Sequence, residues 1–245
     1  PAPAPRPAVS ALTLCRLPCL VLDRIASLAV WGWDSGRTRL LADEFATAGY
    51  RVYVPKVLTP ALEGGTDGDG LPADFDMPNR RSEFGPWVTQ IPWSAIQPKV
   101  ERLIAFAKEQ GATRFGVIGC CWGAWACFKT SAMCADIACG VGFHPSCQLE
   151  GMFGGDVNAL AATVQCPFYF MPATGDAPEL YGPEGSLVKC LTEKFGADKV
   201  KTKLFADMSH GWVPRGDVSK PEVKRDVQLA MEEAAAYFTA MGLAP

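Results

Sequence analysis

Short apolar segments alternate with segments of helical periodicity along this chain of 245 residues, and this order restricts the fold more than any other feature. The candidate strands are Ser27 to Trp33, Tyr50 to Pro55, Phe115 to Gly119, Gly140 to His144, Phe168 to Ala173 and Lys201 to Phe205. Strands that alternate with helices are typical of parallel sheets, because parallel strands need long crossover connections. The order therefore predicts an α/β fold with a mostly parallel central sheet and helices on both faces.

The clearest helical segments carry apolar residues at spacings of three and four. They are Thr38 to Ala48, Ala95 to Gln110, Leu187 to Phe195 and Pro221 to Met241, and a glycine directly follows each of them. Glycine at this place is typical of a helix C-terminus. We expect residues 12–245 to form one domain around one sheet, and we assign no fold to the proline-rich tail at residues 1–11.

Two regions do not follow the alternation. Pro60 to Trp87 is rich in glycine, aspartate and proline and has few periodic apolar positions. A connection of this length either covers or lines a site, or it is a plain surface loop, and the sequence leaves both readings open. Leu12 to Ile25 mixes apolar and charged residues and is a candidate edge strand.

Charge and hydropathy exclude several classes of partner. The formal net charge is -3 and the chain has no long basic run, so nucleic acid is not expected as a partner. Asp23 and Arg24 interrupt the apolar segment near Leu20, and no stretch reaches the roughly 18 apolar residues of a membrane span. We therefore expect no membrane contact, and a small molecule as the partner.

The ten cysteines are interpreted as reduced thiols. Cys120 and Cys121 are adjacent, and Cys127, Cys139 and Cys166 lie in apolar segments, where thiols behave as small hydrophobic side chains. The sequence lacks the closely paired C-x-x-C ligands of zinc sites and has only two histidines, so neither a metal nor a cofactor is expected. Free thiols indicate a reducing compartment, and we expect a cytoplasmic location, with an organelle stroma as the alternative.

Residues 119–123, Gly-Cys-Cys-Trp-Gly, match the G-x-C-x-G form of the nucleophile elbow. In this motif a strand turns sharply into a helix and exposes the central residue, here Cys121. The glycines are needed because the strained backbone leaves no space for nearby Cβ atoms. The N-terminus of the helix that begins at Trp122 favours a thiolate through its N–H groups and its dipole. The alternative is that Cys121 is one more buried small side chain at a glycine-rich turn.

Two further residues complete a candidate triad with Cys121. An α/β-hydrolase places its nucleophile, acid and histidine in that order, the last two on loops after later strands. Asp176 and His210 follow candidate strands in this order, at the carboxyl ends where catalytic loops of open α/β sheets gather. His144 is the alternative base and Glu179 the alternative acid. The bland readings are a turn aspartate at Asp176 and an exposed loop histidine at His210.

Three strings together resemble the dienelactone hydrolase family, and in particular its eukaryotic-type branch. They are GCCWG at 119–123, ATGDAPEL at 173–180 and SHGWVPRGD at 209–217. The likeness extends from about Ser27 to Met241. It implies an α/β-hydrolase fold, a triad of Cys121, Asp176 and His210, and hydrolysis of small esters or lactones of the carboxymethylenebutenolidase type.

The resemblance also suggests roles around the triad. Family members use an arginine just after the histidine to bind a substrate carboxylate, which points to Arg215 and to an anionic substrate. The alternative is a surface ion pair between Arg215 and Asp217. Bacterial members hold a glutamate that controls the ionisation of the cysteine, where this sequence has Ala29.

In the expected reaction the Cys121 thiolate attacks a carbonyl carbon. The backbone N–H of Trp122 and an N–H from the loop at Val30 or Trp31 would hold the oxyanion. Trp31 and His144 are further candidates for the substrate pocket. A thioesterase or acyl transferase with the same triad is one alternative function, and a catalytically silent binding module of the same fold is another.

Overall fold

The computed structural model describes residues 24–29, 32–66, 69–72 and 74–243. Within them the main sheet contains β1 Arg24–Ala29, β2 Arg51–Tyr53, β3 Phe115–Cys120, β4 Ile137–Phe143, β5 Phe168–Met171 and β7 Lys201–Thr202. The order across the sheet is β2-β1-β3-β4-β5-β7, and every neighbouring pair is parallel. A separate parallel pair consists of β6 Ala173–Thr174 and β8 Phe205–Ser209. The predicted parallel sheet is confirmed.

Helices cover both faces of this sheet, as predicted. They are α1 Thr38–Thr47, α2 Met77–Val88, α3 Trp93–Glu109, α4 Trp122–Met133, α5 Val157–Thr163, α6 Pro178–Tyr181, α7 Ser186–Phe195, α8 Trp212–Arg215 and α9 Pro221–Ala240, with a 3-10 helix at Cys147–Phe153. On β3, Val117 packs in a core cluster with α3, α4 and α7, and the next residue, Ile118, packs with α1 and α9. Alternate residues of a strand point to opposite faces, so β3 is buried on both sides.

The first strand was predicted to span Ser27 to Trp33, whereas the structure gives β1 as Arg24–Ala29. Its first described residue, Arg24, pairs with Arg51 on one side and with Phe115 on the other. A charged residue therefore belongs to a central strand, because the ladder uses backbone groups and not side-chain hydropathy. The strand does not reach Trp33, since Gly32 has a φ of 77°. The candidate edge strand at Leu12 to Ile25 lies outside the described residues up to position 23, as does the 1–11 tail.

The segment predicted as one strand, Lys201 to Phe205, is divided between two sheets. β7 ends at Thr202, and β8 begins at Phe205 and pairs with β6. The prediction placed a boundary wrongly because the sequence pattern does not reveal which neighbour each residue pairs with. The division matters for function, since β6 leads into Asp176 and β8 leads into His210.

The excursion from Pro60 to Trp87 is not a plain loop, because its C-terminal part belongs to α2. The Asp76 side chain caps this helix by accepting a hydrogen bond from the N–H of Asn79. The Nε1 atom of Trp87 donates to the carbonyl oxygen of Pro60 over 2.9 Å, which ties the two ends of the excursion together. Gly85 and Pro86 lie within α2, and because these residues are unusual in helices the sequence did not predict a helix there.

None of the helices in the described part of the chain combines the length and apolar character needed to cross a bilayer.

Candidate active site

Cys121 occupies a strained turn between β3 and α4. Its φ of 57° and ψ of -119° are unusual for a residue with a side chain. A Cβ atom on Gly119 would lie 2.3 Å from the backbone of Gly123 and of Ala124, so the first glycine of the motif is sterically required. The Cys121 N–H donates to the carbonyl oxygen of Phe143 over 3.1 Å. These constraints fix the direction of the thiol, as in a nucleophile elbow.

The carboxylate of Asp176 holds the ring of His210. The Nδ1 atom of His210 lies 2.6 Å from Oδ1 of Asp176. The other carboxylate oxygen accepts a hydrogen bond from the N–H of Ala173 over 2.7 Å, and the Asp176 side chain is only 5% exposed. Gly175, with a φ of 88°, makes the tight turn that directs this carboxylate inward. Glu179 is exposed, so the structure does not bring the alternative acid to the histidine.

The thiol of Cys121 and the imidazole of His210 shift each other's ionisation. Burial by itself raises the pKa of Cys121, but the charge of His210 and hydrogen bonds involving His210, Ser146 and the Trp122 N–H outweigh it, so the pKa lies below its usual value. Burial opposes the charged form of His210 too, but the charge of Cys121 and hydrogen bonds with Asp176 and Cys121 raise its pKa to about 10. The arrangement therefore favours a thiolate beside an imidazolium.

Among the described residues, Ser146 is the other polar side chain that contacts the sulfur. Its Oγ lies 3.6 Å from Sγ of Cys121, and its backbone N–H donates to the carbonyl oxygen of Cys121 over 3.1 Å. Ser146 follows β4 in the string GFHPS and is buried. The sequence pointed only to His144 in this string, because a lone serine in an apolar segment carries no signal of what it faces.

His144 lies beside His210 and not in its place. Its side chain is buried at 1% exposure, and its ring meets that of His210 edge to face with a centroid separation of 4.8 Å. Burial, and then the charge of His210, lower the pKa of His144 well below its ordinary value. Neither ring nitrogen has a hydrogen-bond partner among the described residues. His144 is thus a neutral ring packed against His210.

Arg215 is directed toward the turn before α1. Its Nη1 donates to Oγ of Ser35 over 3.1 Å, and burial lowers the pKa of the guanidinium. Asp217 instead accepts hydrogen bonds from the N–H and hydroxyl of Ser219.

One candidate oxyanion donor, the backbone N–H of Trp122, interacts with the sulfur of Cys121. Val30 and Trp31 lie outside the described residues.

Arg37 fastens the turn that follows His210. Its guanidinium donates to the carbonyl oxygens of Trp212, over 2.8 Å, and of Val213 and Gly216. Its own backbone N–H donates to the carbonyl oxygen of Pro214 over 2.8 Å. A guanidinium can satisfy several C-terminal carbonyls of a short helix at once. No sequence motif pointed to Arg37, because its partners lie about 175 positions further along the chain.

The family model described as the dienelactone hydrolase family matches residues 25–242. The chain belongs to the dienelactone hydrolase family. It is a hydrolase of the α/β type, and the residues of the elbow, the acid loop and the histidine loop all lie within the matched span.

Solved structures show the same fold at low sequence identity. A provisionally named dienelactone hydrolase of Klebsiella pneumoniae subsp. pneumoniae MGH 78578 aligns with a TM-score of 0.64 at 13% identity, over 89% of this chain and 87% of that one. The dienelactone hydrolase of Anabaena variabilis ATCC 29413 gives 0.58 at 16% identity, over 91% and 88%. The esterase Pf2001 of Pyrococcus furiosus gives 0.53 at 12% identity, over 89% and 82%. Comparison with curated proteins gave no match.

Proposed function

We propose that this dienelactone hydrolase family member hydrolyses small esters or lactones with Cys121 as nucleophile, His210 as general base and acid, and Asp176 as the group that orients His210. One observation carries the proposal. The ring of His210 is bound through Nδ1 to Asp176 over 2.6 Å, and the same ring is coupled by charge to the elbow thiol of Cys121. Nucleophile, base and orienting acid in contact are the elements of covalent acyl transfer.

The reaction begins from the ion pair of the Cys121 thiolate and the His210 imidazolium. The Cys121 thiolate forms a bond to the carbonyl carbon, and the carbonyl electron pair moves to oxygen, where the Trp122 N–H donates to the oxyanion. The C–O bond to the leaving group then breaks, and His210 gives its proton to the departing alkoxide. Neutral His210 takes a proton from water, the hydroxide attacks the thioester, and the carboxylic acid leaves as the C–S bond returns its electrons to Cys121.

Asp176 contributes at each proton transfer. Its hydrogen bond to Nδ1 fixes the tautomer in which Nε2 of His210 serves the thiol and the leaving group. Because the Ala173 N–H occupies the other carboxylate oxygen, the acid cannot rotate away without losing a buried hydrogen bond. No metal or cofactor has a part in this scheme.

We further propose that Arg215 binds a carboxylate of the substrate. Its guanidinium lies on the α8 turn that follows His210, and burial lowers its pKa without removing its charge at neutral pH. An arginine can bind a carboxylate through two parallel hydrogen bonds. This assignment favours an anionic lactone or ester over a neutral one.

A substrate panel tests the proposal and separates it from its rivals. Purified protein and Cys121→Ala are compared on an aryl ester, a lactone and an acyl thioester, with release of acid as the readout. We expect hydrolysis of the ester and the lactone by the wild type alone. Turnover confined to the thioester would identify a thioesterase, and no turnover by either protein on any substrate would identify a binding module.

A further inference from the structure

The hydroxyl of Ser146 does not cap the helix that follows it. Ser146 is the N-cap residue of the 3-10 helix Cys147–Phe153, yet its side chain makes no cap hydrogen bond. Serine is among the preferred N-cap residues because its oxygen accepts from the first free N–H groups of a helix. Here that capacity is unused within the helix, which leaves the side chain available to another partner.

A tyrosine from another element satisfies the helix start instead. The N–H of Cys147 donates to the hydroxyl oxygen of Tyr181 over 2.7 Å, and that hydroxyl donates to Oε1 of Gln148 over 2.8 Å. Tyr181 is fully buried, so this arrangement is fixed by packing. The first N–H of the helix therefore has a partner that does not involve Ser146.

The hydroxyl of Ser146 is directed to the sulfur of Cys121. Its Oγ lies 3.6 Å from Sγ, and its backbone N–H is bonded to the carbonyl oxygen of Cys121, so side chain and backbone of Ser146 both hold the elbow. Ser146 is 7% exposed, which leaves water little access to this side of the sulfur. A hydroxyl that donates to a thiolate makes a charge-assisted hydrogen bond, which is stronger than one to a neutral thiol.

We propose that Ser146 is a further catalytic residue, whose hydroxyl donates to the Cys121 thiolate. This role rests on the proposed function of Cys121. In the resting site the hydroxyl shares the stabilisation of the anion with His210. In the last step, when the C–S bond of the tetrahedral intermediate breaks, the electron pair returns to Sγ, and the same hydroxyl stabilises the leaving thiolate.

Among the described residues, few charged and titratable groups surround Sγ, which makes the effect measurable. His210 faces the sulfur from the loop after β8, with Asp176 behind it, and His144 stands beside His210 as a neutral ring. Cys120, the preceding residue, is buried and has a raised pKa, so it stays a neutral thiol. Of these groups, only His210 also stabilises the thiolate.

The test is the pH dependence of Cys121 alkylation by iodoacetamide, followed by peptide mapping. Ser146→Thr and Ser146→Val are compared, because the two side chains have the same shape and differ in the hydroxyl. We expect the valine variant to titrate higher than the threonine variant by about 1 to 2 pH units, as the loss of one hydrogen bond to a charged group implies. Ser146→Ala should move in the same direction.

Ser131→Ala is the matched control, since Ser131 is also buried and its hydroxyl bonds to the carbonyl oxygen of Cys127 on α4. Its alkylation profile should coincide with that of the wild type. Equal profiles for the threonine and valine variants would overturn the role of Ser146, even if esters are hydrolysed. A shifted profile in a protein that hydrolyses nothing would leave the hydrogen bond standing and would overturn the proposed function alone.

Discussion

The Nη2 atom of Arg37 donates a hydrogen bond of 2.8 Å to the carbonyl oxygen of Trp212, two residues after His210. Together with the bonds from Arg37 to Val213 and Gly216, it joins the turn before α1 to the short helix α8 that follows His210. The side chain of His210 is 39% exposed, so packing alone does not hold it. We therefore expect Arg37 to act as a positioning residue for His210.

Arg37→Ala should lower kcat/KM for a small ester roughly 10- to 100-fold, because a displacement of about 1 Å at a catalytic group has effects of this size. The measurement is steady-state hydrolysis together with the pH profile of Cys121 alkylation. The profile should move to higher pH, since a displaced His210 stabilises the thiolate less.

Arg114→Ala is the control for Arg37, because Arg114 also donates to carbonyl oxygens at a helix end, those of Met241 and Gly242. It should leave the kinetics and the alkylation profile unchanged. Unaltered kinetics in Arg37→Ala would show that the turn after His210 holds its place without the guanidinium.

Arg215→Ala should distinguish anionic from neutral substrates. The loss of a hydrogen bond to a charged group is worth about 1.5 to 3 kcal/mol, so kcat/KM for an anionic lactone should fall roughly 10- to over 100-fold. A neutral aryl ester should be hydrolysed as before. Arg215→Lys keeps the charge but loses the two-point geometry, so it should recover only part of the rate. Equal losses on both substrates would mean that Arg215 has a structural role, through its bond to Ser35.

His144 should make the protein less stable in acid. Its pKa in the fold lies well below the unfolded value, so between those two values the unfolded chain binds more protons and stability falls as pH decreases. The largest slope that one such group contributes is about 1.4 kcal/mol per pH unit. His144→Asn removes this titration, and asparagine tolerates the φ of 35° at this position.

The free energy of unfolding from denaturant titrations at several pH values measures this effect. The stability of the wild type relative to His144→Asn should increase with pH up to about the ordinary histidine pKa of 6.5 and then level off. His210, Asp176 and Cys121 are present in both proteins, so their titration largely cancels in the comparison. Parallel curves across this range would show that His144 binds protons in the fold as readily as in the unfolded chain.

The parts of the fold and site that the sequence predicted are those with a local signal. The elbow is recognisable because its glycines are required by sterics within five consecutive residues. Asp176 and His210 are recognisable because they follow candidate strands in the chain order of nucleophile, acid and histidine. The roles of these three residues remain proposals. The parallel sheet and its long helices were predictable for the same reason, since each element carries its own hydrophobic period.

The features that the sequence did not predict depend on partners far along the chain. The division of Lys201 to Phe205 follows from the pairing of β8 with β6, and Arg24 belongs to β1 because the backbones of two neighbouring strands pair with it. Ser146 has no motif of its own, and its relation to Cys121 arises only when β4 lies beside β3. The hydropathy pattern of the sequence predicts none of these contacts.

The most direct test of the account is the mass of the Cys121 peptide after the protein is mixed with a small activated ester and quenched in acid. Covalent catalysis predicts an acyl group on that peptide, together with background rates of hydrolysis for Cys121→Ala, which has nowhere to form the thioester. An acyl group on another residue, or undiminished hydrolysis by folded Cys121→Ala, would contradict the assignment of Cys121 as the nucleophile.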